Sequence, residues 1–205
     1  MGDRILTAIG RTSWVFLGDE GDPKETGPNK FKLTHMLPKN VEAVKSLGLN
    51  SAQQKSIVAD AKKCKESIEA QCMAMAKAKF KDSWESSRWN PIIDGDTKAA
   101  KQPINKNFWL IRAKTQYQPK IRNADDSEFV DPNDSDVQSG FYTGCWARCF
   151  IEPYAYSVSG NEGVAVGLGG VQKAYNDEKF QMVEEESFGG IVDKQPEAVD
   201  FGDVE

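Results

Sequence analysis

The segment from Phe141 to Tyr156 constrains this chain more than any other. Cys145, Ala147, Cys149 and Ile151 fall on one side of an alternating pattern, and Trp146, Arg148 and Phe150 fall on the other. That period of two belongs to a half-buried strand and commits the chain to a sheet. Pro153 marks a bulge or an edge position, because proline donates nothing to a ladder.

Other segments carry the same period. Gly10–Leu17 forms a candidate first strand, ended by a loop dense in Gly, Pro and acids. In Lys30–Leu37, Phe31, Leu33, His35 and Leu37 share one face, while Lys30, Lys32, Thr34 and Met36 share the other. Phe108–Thr115 gives a third strand, Phe141–Tyr156 the fourth and Gly163–Leu168 the fifth. Between the second and third strands the period changes. Asn40 caps a short helix through Leu47, stopped at Gly48. Ser51-Ala-Gln-Gln54 then has the form of a capping box. Ile57, Ala61, Cys64, Ile68, Cys72 and Met75 recur at helical spacing to about Phe80, so the helical insertion covers about residues 40–80. Helices grouped between strands argue against an alternating parallel α/β sheet. Five antiparallel strands closed on themselves, with this insertion, are the OB-fold arrangement.

The formal net charge of −5 looks unfavourable to a polyanionic partner, but it is an average over unlike parts. Residues 176–205 hold ten acids and two bases, so the first 175 carry +3, and residues 55–122 alone carry +8. The expected division is a strand-rich domain over residues 1–178 and a disordered acidic tail over 179–205. Residues 123–136 hold six acids and no base, and read as a solvated loop.

Little points to catalysis. A single histidine, His35, sits among core positions with no evident Ser or Cys partner. Cys145 and Cys149 share a strand face but lie roughly 13 Å apart, too far for one metal. Cys64 and Cys72 fall on the apolar stripe of the helix, so all four cysteines read as small buried hydrophobes. The glycines of 163–170 form no complete dinucleotide fingerprint, since Gln172 stands where a third glycine belongs. Asp94-Gly95-Asp96 reads as a turn. No catalytic residue, metal site or cofactor is expected. No apolar run approaches the roughly 18–20 residues of a membrane span, and the N-terminal segment lacks the pattern of a secretory signal.

What remains is the outward set. It comprises Trp14 on the first strand, Lys30 and Lys32 on the second, Arg112 and Lys114 on the third, and Trp146 and Arg148 on the fourth. Tyr117, Tyr154 and Tyr156 lie near strand ends. Cations interleaved with flat rings suit single-stranded nucleic acid, which offers phosphates to neutralise and unpaired bases to stack. Alternation alone leaves a second reading open, in which the rings cap the core and the lysines merely solubilise. The acidic tail, with Asp200, Phe201, Asp203 and Glu205, can mimic a nucleic-acid strand in the basic groove or give a partner protein something to hold; solubility is its plainer role.

Several segments together resemble a family of phage-encoded single-stranded DNA-binding proteins with an OB fold. They are Ser139-Gly-Phe-Tyr-Thr-Gly-Cys-Trp-Ala-Arg148 with Tyr154-Ala-Tyr156, Asn161–Leu168 with Val171-Gln-Lys173, and Pro91–Asp96. Ser13-Trp14 and Leu37-Pro-Lys39 complete the order, and the matches span about residues 10–175. Ile93, where a basic residue is expected, and Gly169-Gly170, in place of polar residues, depart from the pattern. The resemblance implies a non-catalytic protein that protects single-stranded DNA during phage replication and recombination, in the cytoplasm of the infected host. It implies contacts with replication or recombination proteins through the tail, and a homo-oligomer is compatible with it. Two other readings stay open: a mediator that anneals complementary strands, and a virion structural or scaffold protein.

Overall fold

The computed structural model of the chain describes residues 3–18, 20–28, 30–128 and 140–180. Residues 181–205, and with them the tail residues Asp200, Phe201, Asp203 and Glu205, lie outside the described residues, as does the 129–136 part of the acidic loop.

Among the described residues eight strands form one sheet: β1 (Ile5–Leu6), β2 (Gly10–Phe16), β3 (Phe31–Pro38), β4 (Ile92–Asp94), β5 (Phe108–Thr115), β6 (Lys120–Arg122), β7 (Trp146–Val158) and β8 (Asn161–Tyr175). The long helix α1 (Ser51–Phe80) lies between β3 and β4. The expected five antiparallel strands therefore need correction. β1, β4 and β6 are two or three residues long, too short to display a period. The sheet is also mixed, because β8 runs parallel to both β5 and β6. The five longest strands correspond to the five read from the sequence. Their pairings run β7–β2–β3–β5–β8 and return from β8 to β7, a closed circuit.

The fourth strand begins at Trp146, because Phe141–Cys145 is a buried loop, and its ladder with β8 shifts register between Phe150 and Ile151. Pro153 faces Val166 of β8, beyond the last β1 and β2 partners on the strand's other edge, so its missing N–H interrupts no ladder.

A 3-10 turn at Val41–Leu47 starts from Asn40, whose side chain accepts from the Ala43 N–H, and stops at Gly48 with φ of 63°. The capping box of α1 lies one residue earlier than the sequence suggests. Asn50 accepts from the Gln53 N–H, and Gln53 accepts from the Asn50 N–H. The 30-residue helix, about 45 Å long at 1.5 Å per residue, buries Ile57, Ala61, Ile68, Cys72, Ala76 and Phe80.

Two apolar clusters hold the fold together. The larger joins Leu33, Leu37, Ile111, Ala113, Cys145, Ala147, Cys149, Ile151 and the β8 valines to most of the buried face of α1. The smaller joins Met36, Val44, Ile57, Phe108, Leu110 and Trp146. Met36 and Leu110 alternate with Leu37 and Ile111 along β3 and β5, so the two clusters lie on opposite faces of the same strands.

Candidate nucleic-acid interface

The smaller cluster covers only one end of the outer face of β2, β3 and β5. Ser13 pairs with Thr34 and Thr34 with Arg112; beyond them Phe16 pairs with Lys32 and Lys32 with Lys114. Trp14, Lys32, Thr34, Arg112 and Lys114 line an open pocket of about 190 Å³. Four residues expected from alternation thus share one hollow.

Trp14 reaches it by a local irregularity. Thr12 points inward, its hydroxyl bonded to the Cys145 carbonyl at 3.0 Å, so unbroken alternation would turn Trp14 inward too. The ladder instead shifts register between Ser13 and Phe16, and Trp14 has φ of 51°. A left-handed conformation is uncommon for a bulky residue and costs on the order of 1–3 kcal/mol. Here it leaves the ring 41% exposed.

The groove carries its own counter-ions. Asp22 binds Lys32, and Glu25 lies 3.6 Å from Lys32 and 3.4 Å from Lys114. Burial acts to raise the Asp22 carboxyl, but the hydrogen bonds from Lys32 and the Lys24 N–H prevail and hold it below the usual range. Lys32 also lies 5.5 Å from the centre of the Phe16 ring. Phe16 and Thr34 escaped the sequence reading: the break in register hides the phase of Phe16, and Thr34 resembles any polar strand residue.

The other expected residues are dispersed. Tyr117, 73% exposed, and Tyr154, 41% exposed, line an adjoining hollow that shares Lys114 with the groove. Lys30 stands over the Phe31 ring and lines no part of the groove. Tyr156 is half-buried, and its hydroxyl lies where a side chain at Gly163 would have to fit. Arg148 is exposed on β7, bonded to Gln172, and lines a separate hollow.

Trp146 requires a correction. It is fully buried, tilted against Phe108 with ring centroids 6.3 Å apart, and offers no face to a ligand. Its Nε1–H donates to Asp177 at 2.7 Å. The same carboxylate accepts from Ser46 at 2.6 Å and lies 3.4 Å from Arg11. Tyr142 donates to the Asp177 carbonyl, Arg11 donates to the Glu178 carbonyl, and the Arg11 guanidinium lies 3.9 Å from the Phe180 ring centre. Burial lowers the pKa of Arg11, with Asp177 and Glu178 opposing it. The 176–180 segment, where the acidic stretch begins, is therefore fastened to the body.

His35 is buried in the interior, where desolvation lowers its pKa to about 4 despite a hydrogen bond to Ala8. A carbonyl only accepts, so Nε2 carries the proton and donates to Ala8 at 3.0 Å, leaving Nδ1 to face Cys149 Sγ at 3.6 Å. Burial pushes the Cys149 thiol up and the Cys72 thiol up to about 12, which suits packing and not nucleophilic chemistry. Asp94 and Asp96 both bind Lys39, Asp96 at 2.7 Å. Burial disfavours the Lys39 ammonium, but these two carboxylates outweigh it and raise its pKa. Among the described residues no three His, Cys, Asp or Glu side chains gather as a metal site, and no helix is long and apolar enough to cross a membrane.

The model of the family described as Enterobacter phage Enc34 ssDNA-binding protein matches residues 28–199 of this chain. The chain belongs to that family of phage single-stranded DNA-binding proteins. Three solved structures from bacteriophage Enc34 share the fold. The C-terminally truncated protein has a TM-score of 0.66 at 22% identity, over 86% of this chain and 88% of that one. The protein in complex with ssDNA has a TM-score of 0.66 at 22% identity, over 87% and 89%. The third, described simply as the single-stranded DNA-binding protein, has a TM-score of 0.63 at 21% identity, over 89% and 87%. No curated protein sequence matches this chain significantly.

Proposed function

We propose that this protein coats single-stranded DNA, without catalysis, through the groove on the open half of β2, β3 and β5. The observation that carries the reading is the gathering of Trp14, Lys32, Arg112 and Lys114 in one pocket, in a member of a family of single-stranded DNA-binding proteins. Lys32, Arg112 and Lys114 neutralise phosphates, and Trp14 stacks on a base; Tyr117 and Tyr154 continue the platform. We read the closed five-strand circuit as an OB-type barrel, an architecture that uses one sheet face for oligonucleotides. The work is done in the host cytoplasm during phage replication or recombination.

Fluorescence anisotropy with a labelled oligonucleotide tests this. Affinity falls steeply as salt rises, with little dependence on base sequence. Salt-independent binding, or equal affinity for heparin, overturns the stacking groove. The acidic segment after Phe180 competes with DNA and holds partner proteins. Its point of departure supports this reading, because Phe180 rests on Arg11, which pairs with Met36 two residues along β3 from groove-lining Thr34. Deleting residues 181–205 tightens DNA binding at low salt, and unchanged affinity would sink the competitor role.

A further inference from the structure

The hollow that receives Arg148 lies on the other side of the strand circuit, where no role has been assigned. Arg4, Lys120, Arg122 and Arg148 line it together with Phe150, over a volume of about 240 Å³. Phe150 is 42% exposed, an unusual position for a phenyl ring. Arg4 lies 5.8 Å from the ring centre. Opposite Phe150 the strand carries Gly169 and Gly170. A Cβ at Gly169 would meet nothing closer than 3.5 Å, so packing does not require a glycine there. The effect is a flat floor beside the ring.

The charges facing this floor are unequal. Arg4 is paired with Glu152, which lies outside the lining, at 2.7 Å, and the carboxylate in the lining is that of Asp126. Arg148 bonds to Gln172, which is neutral, and Arg122 donates to the Asp126 carbonyl. Lys120, Arg122 and Arg148 have no carboxylate within ion-pair distance among the described residues.

The hollow also connects to the groove. Lys114 is shared by the groove and the hollow holding Tyr117 and Tyr154. Glu152 lines that middle hollow and binds Arg4 of the third. Along β7, Arg148, Phe150, Glu152 and Tyr154 all alternate with the buried Cys149, Ile151 and Pro153. Rings and cations thus continue from the groove, across the parallel β5–β8 seam, to the far side.

We propose that this hollow is a second contact site for single-stranded nucleic acid, in which Lys120, Arg122 and Arg148 hold phosphates and a base lies on Phe150 over the glycine floor. This inference rests on the groove being the first contact site. A strand long enough to leave the groove passes Tyr117 and Tyr154 and wraps the body; a short one occupies the groove alone.

The experiment compares oligonucleotides of about 8 and about 30 nucleotides, chosen around the site sizes of single OB folds, on full-length protein. The Lys120→Ala, Arg122→Ala, Arg148→Ala triple variant binds the short one as the parent does. For the long one its log–log salt slope is shallower by about 2, from roughly 0.7 for each of the lost phosphate contacts. An unchanged slope on the long oligonucleotide, or equal weakening on both, overturns the second site. A parent protein that binds neither overturns the groove itself, a distinct result. Lysine acetylation footprinting of the unaltered protein gives a readout independent of variant folding. Both oligonucleotides protect Lys114 in the groove, and only the long one also protects Lys120; Lys120 left reactive under the long strand also overturns the proposal.

Discussion

The outer face of β2, β3 and β5 has two halves built from the same strands, with β3 and β5 in one unbroken register. At one end Met36 and Leu110 lie under Val44, Ile57 and Trp146, and the face becomes a second core. Two residues along each strand, Thr34 and Arg112 border an open groove with Trp14, Lys32 and Lys114. The strands do not differ in kind. What differs is whether the chain after Pro38 folds back over them, as the 3-10 turn and the start of α1 do on one half only. An aromatic residue on this face is a structural anchor or a ligand platform according to that cover, and the two tryptophans of the comparison fall on either side of it.

The sharpest way to break the comparison is Trp146→Ala. Removing a fully buried indole, with its bond to Asp177, costs about 3–5 kcal/mol of stability. Urea unfolding measures it, and a loss below about 1 kcal/mol would mean that the covered half is not a core. His35, on the inner face between the halves, sharpens the picture next. Its folded pKa of about 4 lies below the ordinary 6.5, so the unfolded chain binds the extra proton between those values. Stability is full above about pH 6.5 and falls as pH drops toward 4, by a total of about 3 kcal/mol. Comparing unfolding at pH 7 and pH 5 in the parent and in His35→Gln isolates this contribution, and equal pH dependence in the two refutes it.

Trp14→Ala reverses the outcome of Trp146→Ala. Unfolding midpoints stay close to the parent, while affinity for single-stranded DNA falls by about 1–3 kcal/mol, roughly 5- to 150-fold. Lost stability with unchanged affinity would place Trp14 in the structural class. The smallest effect belongs to Glu25, which holds Lys32 and Lys114 when no strand is present. Glu25→Gln removes that competition and raises affinity about two- to fivefold at low salt, the range of an exposed ion pair. Weaker binding would show that Glu25 positions the lysines for the strand.

Sequence periodicity revealed the first three long strands and α1 to within a few residues, because each repeats its pattern over several turns or pleats. It began the fourth five residues early, at Phe141, and ended the fifth at Leu168, seven short of Tyr175, where the glycines at 169 and 170 blur the alternation. It could not reveal β1, β4 and β6, which complete no period, nor the parallel pairings, which depend on how distant segments meet. In the groove, Lys32, Arg112 and Lys114 were legible from alternation. Trp14 was placed outward correctly, yet the break in register puts it there and strict alternation does not. Trp146 failed for a different reason. Alternation names the side of a sheet and says nothing of what later covers that side. Phe150 and Arg148 were legible as outward residues, but Lys120 and Arg122 come from a strand too short to read and Arg4 precedes another.

The closed circuit of strands has a consequence for life in a crowd. A protein that lines up along a strand of DNA meets its own copies at close range, where an open sheet edge invites strand-to-strand fusion and aggregation. The five long strands each find partners within the circuit, and β1, β4 and β6 are at most three residues long. The stretch of β7 beyond its β1 partner begins at Glu152 and Pro153, and the proline donates nothing to a ladder. Neighbours that stand shoulder to shoulder offer one another little template.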